Sequence, residues 1–184
     1  QLLYHVSSDE KIRLLIGLLR QHEPRRAIVF ANTKRVVALV VSYLNSNGYR
    51  ARALSGDVEQ SKRQRLIGNF KSGAVSIVVA TDVAARGLHI PDVSHVFNFD
   101  LPHNCEDYVH RIGRTARAGE SGEAISFACE EYVFSLESIE SYVENKIPVE
   151  PVTENLLPKV TKPPYDETRA SSDRRKQRRR SSGA

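Results

Sequence analysis

Four short stretches of nearly uninterrupted apolar, largely β-branched character recur along the chain: Ala27 to Phe30, Val75 to Ala80, Ser94 to Phe99 and Ala124 to Ala128. Each is four to six residues long. A strand with one wet face alternates apolar and polar residues, so unbroken runs this short predict strands covered on both faces, the habit of parallel sheets. Weaker strand signals sit at Arg50 to Leu54 and at Leu2 to Val6.

The stretches between the runs carry helical spacing. Ser7 and Glu10 stand at capping-box distance, and Ile12, Leu15, Ile16 and Leu19 follow at steps of three and four. Thr33 to Asn47 predicts a second helix with Val36, Val37, Val40 and Leu44 on one face, closed by Asn47-Gly48. Gln60 to Lys71, Glu106 to Ile112 and Val133 to Val143 predict three more. Alternating strands and helices predict a doubly wound α/β domain that binds ligands at the carboxyl ends of its strands.

The organisation changes near Lys146. Five of the eight prolines fall at 148, 151, 158, 163 and 164, so we read 1–147 as the domain and 148–168 as a Pro-rich extension lying along or beyond it. From Arg169 onward there are seven basic residues and one acid, against twenty basic and twenty-one acidic residues before it. The net charge of +5 therefore describes a near-neutral body and a basic tail over 169–184, expected to be disordered when free. No apolar run approaches the roughly 18 residues of a membrane span. Cys105 and Cys129 lack companions at metal-binding spacing, which points to reduced thiols in a cytoplasmic protein and to no metal site. His5, His22 and His95 show no partnering pattern and are expected in ordinary surface or core roles. The absence of Met suggests an excised piece of a longer protein.

Three segments carry chemistry. In His110-Arg111-Ile112-Gly113-Arg114-Thr115-Ala116-Arg117, a histidine and three arginines crowd together with no acid among them. If the helix continued, His110, Arg114 and Arg117 would share one face, suited to a multiply charged phosphate. The alternative is a solvated basic helix end, favoured by the helix dipole. Thr81-Asp82-Val83-Ala84-Ala85-Arg86-Gly87-Leu88-His89-Ile90 follows the most apolar strand, and its small residues let backbone approach a ligand. Alternatively Asp82 caps a short helix and pairs with Arg86. Ser55-Gly56-Asp57 leads into Gln60 and Arg63, one turn apart, at a helix start whose N–H groups suit phosphate; an ordinary capped surface helix would look similar. Asn32-Thr33-Lys34 repeats that strand-end arrangement. The chain has no Gly-x-x-x-x-Gly-Lys-Ser/Thr loop and no paired acids at a strand end to hold Mg²⁺.

In this order the segments resemble the second RecA-like domain of DEAD-box RNA helicases over roughly residues 1 to 145. Ile28 to Thr33 looks like motif IV, Gln60-x-x-Arg63 like motif IVa, Thr81 to Ile90 like motif V, and His110 to Arg117 like motif VI. Cys105 to His110 and Phe127 to Tyr132, with the Arg-rich tail, are most similar to the bacterial RhlB-type members. The resemblance implies a three-layer α/β/α RecA-like domain around a central parallel sheet. It implies ATP, with Mg²⁺ ligands on a preceding domain, bound between two such domains.

The resemblance also implies residue roles. Arg114 and Arg117 would be arginine fingers at the γ-phosphate, with His110 and Arg111 organising the cleft and Gly87, His89 and Arg111 at the nucleotide. Thr33, Gly56, Gln60, Arg63 and Thr81 would face the RNA backbone, and Arg174, Arg175, Lys176, Arg178, Arg179 and Arg180 of the tail would hold RNA. Three positions depart from the family pattern: His89 stands for the usual Asp, Ser55 for a His, and Ala116 for a Gly. The implied partners are RNA, the preceding RecA-like domain and the scaffold region of a degradosome endoribonuclease of RNase E type. The expected activity is ATP-dependent RNA unwinding in the whole protein, with this part alone inactive. The alternative is a module that mainly docks a partner and tethers RNA.

Overall fold

The computed structural model describes residues 1–54, 56, 59–87, 93–115 and 122–164. The positions 55, 89, 116 and 117 and the basic tail therefore lie outside the described residues.

Among the described residues, seven strands form one parallel sheet: β1 (Leu2–His5), β2 (Ala27–Phe30), β3 (Ala51–Leu54), β4 (Ile77–Ala80), β5 (His95–Asn98), β6 (Glu123–Ala128) and β7 (Val149–Glu150). Their spatial order is β3-β4-β2-β5-β6-β1-β7. The helices are α1 (Lys11–His22), α2 (Lys34–Ser46), α3 (Gln60–Lys71), α4 (Asp82–Ala85), α5 (Cys105–Ile112) and α6 (Leu136–Tyr142). This is the expected three-layer α/β/α arrangement.

The double coverage read from the apolar runs is visible in β2. Ala27 and Val29 face a core built with Leu15, Leu18, Val37, Val40 and Leu44, from α1 and α2. Ile28 and Phe30 face the opposite core with Phe70, Leu66 and Ile67 of α3. A third cluster joins Tyr108 of α5 and Ile139 of α6 to Leu3, Leu101 and Ala128. Successive residues of a strand point to opposite faces, so a strand between two helix layers must be apolar throughout.

Local details differ from the sequence expectation where tertiary contacts compete. The Ser7 hydroxyl contacts the Glu10 carboxylate at 3.5 Å instead of capping a backbone N–H, and Ser8–Glu10 forms a 3-10 turn before α1 begins. The helix expected over Val133 to Val143 starts as a 3-10 turn, Val133–Ser135, before α6. The strand expected from Val75 begins at Ile77, because Ser76 and Ile77 both donate to the Arg50 carbonyl across the strand entrance.

The Pro-rich stretch lies along the domain. β7 pairs with β1 in parallel, and Leu156 joins the core against α1. Arg13 donates to the carbonyls of Leu157 and Pro158. The docking depends on Gly17: a Cβ there would lie 2.1 Å from the Leu156 carbonyl oxygen, inside backbone. No helix among the described residues is long and apolar enough to cross a membrane.

Candidate functional site

A cleft of about 230 Å³ opens at the carboxyl ends of the central strands, bordered by Phe30, Asp82, Ala85, Arg86, Gly87, Asp107, His110, Arg111 and Arg114. After β4 the chain crosses to the far side of β2 to form β5, so connections diverge there and leave a crevice.

Arg111 is the floor of the cleft and is 1% exposed. Its Nε and Nη2 donate to the two oxygens of Asp82, both at 2.7 Å. Nη2 also donates to Asn32 Oδ1 at 2.9 Å, and Nη1 donates to the Asp100 carbonyl at 2.6 Å and to Asn98 Oδ1 at 3.5 Å. These contacts engage all five guanidinium N–H groups. The guanidinium carbon lies 5.2 Å from the centre of the Phe30 ring. Arg111 is thus bound within the domain, holding α5 against the ends of β2, β4 and β5.

Behind it, the buried Lys11 ammonium pairs with Asp100 and sits 4.4 Å from the Phe99 ring centre. The other Asp100 oxygen accepts from the Asn32 N–H at 2.9 Å. Tyr108, fully buried on the inner face of α5, donates to Gln1 Oε1 at 2.7 Å. Burial pushes its phenol up to about 12, so it stays neutral.

Above this floor the cleft carries basic side chains. His110 is exposed and Arg114 half-buried. The helix that carries His110 ends at Ile112, with Gly113 as its cap, so His110 and Arg114 do not share the helical face expected of them; Arg117 lies outside the described residues. The reason is non-local. Val93 and Thr115 form a parallel bridge, the Val93 N–H donates to the Arg114 carbonyl at 3.1 Å, and the Thr115 hydroxyl donates to the Val93 carbonyl at 2.7 Å. His110 and Arg114 both border the cleft.

The neighbouring loop also departs from its local reading. Thr81, not Asp82, caps α4, accepting from the Ala84 N–H at 3.3 Å. Asp82 pairs with Arg111, and Arg86 pairs with Asp107 at 3.1 Å. Gly87 follows with φ of 73°, a left-handed turn that glycine adopts without steric cost. Asp107 Oδ2 accepts from Asn104 Nδ2 at 2.7 Å. Both carboxylates of the cleft are therefore engaged by side chains, and neither fits a Mg²⁺ ligand in this arrangement.

The remaining candidates lie along the same edge of the sheet. Thr33 caps α2, its hydroxyl accepting from the Val36 N–H at 3.2 Å, and like Thr81 it keeps an O–H to donate. Gln60 is the exposed first residue of α3, whose start has no side-chain cap among the described residues. Gly56 is exposed, with neither a left-handed φ nor a close neighbour. Arg63 turns inward: Nη2 donates to the Ala84 carbonyl at 2.9 Å, and Nε is buried without a partner among the described residues.

Sequence reasoning missed Lys11, Asn98 and Asp100. The available signal was polar Asn98 and Asp100 interrupting an apolar strand end. It also missed a cluster at the opposite pole, where His22 and His95 meet Glu123.

Comparison with known proteins places this geometry. Residues 10–119 match the helicase conserved C-terminal domain. The ATP-dependent RNA helicase RhlB of Xanthomonas oryzae pv. oryzae is 54% identical over 176 residues, 94% of this chain and 31% of that protein. The chain spans about a third of the length of the curated relatives it matches. Among solved structures, the Escherichia coli DEAD-box protein SrmB bound to regulator of ribonuclease activity A superposes with a TM-score of 0.80 at 42% identity, covering 90% of this chain and 97% of that one. Saccharomyces cerevisiae Dbp5 bound to RNA and ADP BeF3 superposes with a TM-score of 0.72 at 34% identity, covering 82% of this chain and 41% of that one.

Proposed function

The chain belongs to the helicase conserved C-terminal domain family, in its DEAD-box branch, and on that premise we propose that it is the C-terminal half of a cytoplasmic, ATP-dependent RNA helicase of the RhlB type. ATP would lie between this domain and a preceding RecA-like domain, with Arg114, Arg117 and His110 directed at its phosphates and Gly87 and His89 beside it. Arg111 acts as a positioning residue, because its five donors are already engaged. Mg²⁺ would neutralise phosphate charge from ligands on the preceding domain, in keeping with the engagement of Asp82 and Asp107.

The observation that carries this reading is the buried Arg111 network, which seats α5 so that His110 and Arg114 line one cleft with Gly87. Thr33, Gly56, Gln60, Arg63 and Thr81 would supply the RNA track through the edge of the sheet. Contacts of that kind to phosphate and sugar give little sequence preference. Remodelling of RNA in turnover, with a degradosome endoribonuclease of RNase E type as partner, completes the reading.

A half-site makes a direct test possible. The 184-residue chain alone should hydrolyse no ATP above background, with or without RNA. Joined to a preceding RecA-like domain carrying a Gly-Lys-Thr loop and an Asp-Glu-Ala-Asp segment, it should show RNA-stimulated turnover. Turnover by the isolated chain would overturn the half-site reading.

A second reading, docking and tethering, is favoured for the tail by the charge division alone. Seven basic residues after residue 168 neutralise phosphates without regard to sequence. Each phosphate contact on single-stranded RNA contributes a log–log salt slope of roughly 0.7. Deleting 169–184 should weaken RNA binding and flatten its salt dependence while leaving turnover in the joined protein largely intact. An unchanged salt slope would remove the tether.

A further inference from the structure

At the amino ends of β5 and β6, opposite the cleft, one carboxylate oxygen faces two imidazoles. Glu123 Oε2 lies 2.9 Å from His22 Nδ1 and 3.2 Å from His95 Nε2. His95 and Glu123 are in direct register on the parallel pair β5–β6, and His22 comes from the last turn of α1. Three elements far apart in sequence thus converge on one point.

The proton positions make the arrangement unusual. The single hydroxyl proton of Ser94 is donated to the Arg26 carbonyl at 3.0 Å. Ser94 Oγ lies 3.0 Å from His95 Nδ1, and with Ser94 as the acceptor the ring proton sits on Nδ1. In that tautomer His95 Nε2 turns a lone pair toward the Glu123 carboxylate. His22 Nε2 is buried with no hydrogen-bond partner among the described residues, so no contact on that nitrogen commits a proton to Nδ1. With the proton on His95 Nδ1, Nε2 and the Glu123 carboxylate, 3.2 Å apart, both offer lone pairs to a cation placed between them.

We propose that His22, His95 and Glu123 bind a divalent transition-metal ion of the Zn²⁺ class. The three donor atoms lie within 4.8 Å of one another. Tetrahedral Zn²⁺ with bonds of roughly 2.0–2.2 Å separates its ligands by about 3.3 Å, close to the two spacings already present. Two imidazoles and one carboxylate suit a borderline ion better than Ca²⁺ or Mg²⁺, which take oxygen shells. The Ser94 contact is the kind of outer hydrogen bond that orients a ligating histidine. The Glu123 side chain is 49% exposed, so solvent reaches the site to complete the coordination. Binding would pin the end of α1 to the sheet on the side away from the cleft.

The test is titration of the reduced 184-residue chain with Zn²⁺ against a chromophoric zinc indicator, repeated with Co²⁺ for its visible spectrum. One Zn²⁺ per chain is expected at micromolar or tighter affinity. Glu123→Gln and His95→Ala should abolish it, Ser94→Ala should weaken it by roughly 10- to 100-fold, and His103→Ala should leave it unchanged. Co²⁺ should give tetrahedral d–d bands without thiolate charge transfer. Zn²⁺ at a hundredfold excess over its dissociation constant should raise the Tm of the unaltered chain by roughly 5–10 °C and that of Glu123→Gln hardly at all. The exposed Glu123 makes that variant the one expected to fold normally. Failure to bind Zn²⁺ in large excess, thiolate bands, or uptake unaffected by Glu123→Gln would each overturn the site.

Discussion

Arg111→Ala is expected to destabilise the chain by about 3–5 kcal/mol, the range for removing one partner of a buried ion pair. The truncation leaves the Asp82 carboxylate with neither of its two 2.7 Å donors. It also removes the partner of the Asp100 carbonyl and of the Asn32 and Asn98 side-chain oxygens. Asn98 and Asp100 are 0% and 2% exposed, so water cannot replace the lost donors without opening the core. A void beside Phe30 adds to the loss. Urea unfolding should show a lowered midpoint with little change in slope. Arg111→Lys should recover only part of the loss, since an ammonium cannot reproduce the two-pronged contact with Asp82. A shift below about 1 kcal/mol for Arg111→Ala would mean that the network does not hold α5 in place.

This network also marks the limit of what a sequence discloses. The sheet was legible because burial on both faces is written into adjacent residues, as in Ala27 to Phe30. The helices were legible because Leu15, Leu19, Val36 and Val40 repeat at helical spacing. What depends on register was not. Asp82 reads most simply as the partner of Arg86, four residues on. Yet α4 lasts only four residues, and Arg86 leaves it with extended backbone. The arginine that reaches Asp82 is 29 residues away. Lys11 and Asp100 are 89 residues apart and meet only because α1 packs across the sheet. The helix through His110 looks able to run on to Arg117, but the bridge from Val93 to Thr115 ends it at Ile112. The same limitation hid Glu123 from His22 and His95. Pairwise chemistry across a parallel sheet follows strand order, and strand order is not a local property of the chain.

Within a protein that joins this chain to a preceding RecA-like domain, Arg114→Ala is expected to lower RNA-stimulated ATP turnover by roughly 10³- to 10⁵-fold, the range attributed to an arginine finger. That corresponds to about 4–7 kcal/mol of transition-state stabilisation. Rigid presentation makes such an effect attainable. The Arg114 N–H donates to the Arg111 carbonyl at 3.1 Å, its own carbonyl accepts from Val93 at 3.1 Å, and the next residue is tied to Val93 through its hydroxyl. A side chain mounted on backbone held at three points costs little reorganisation when charge develops on a phosphoryl group. The loss should fall on kcat more than on KM for ATP, because the interaction strengthens in the transition state. RNA binding should largely persist, since the RNA track proposed here runs through Thr33, Gln60 and Thr81. Arg114→Lys should restore only a fraction of turnover, as it returns the charge without the planar fork. Turnover within about tenfold of the unaltered protein would show that Arg114 makes no finger contact, and Arg117 would then have to carry the role alone.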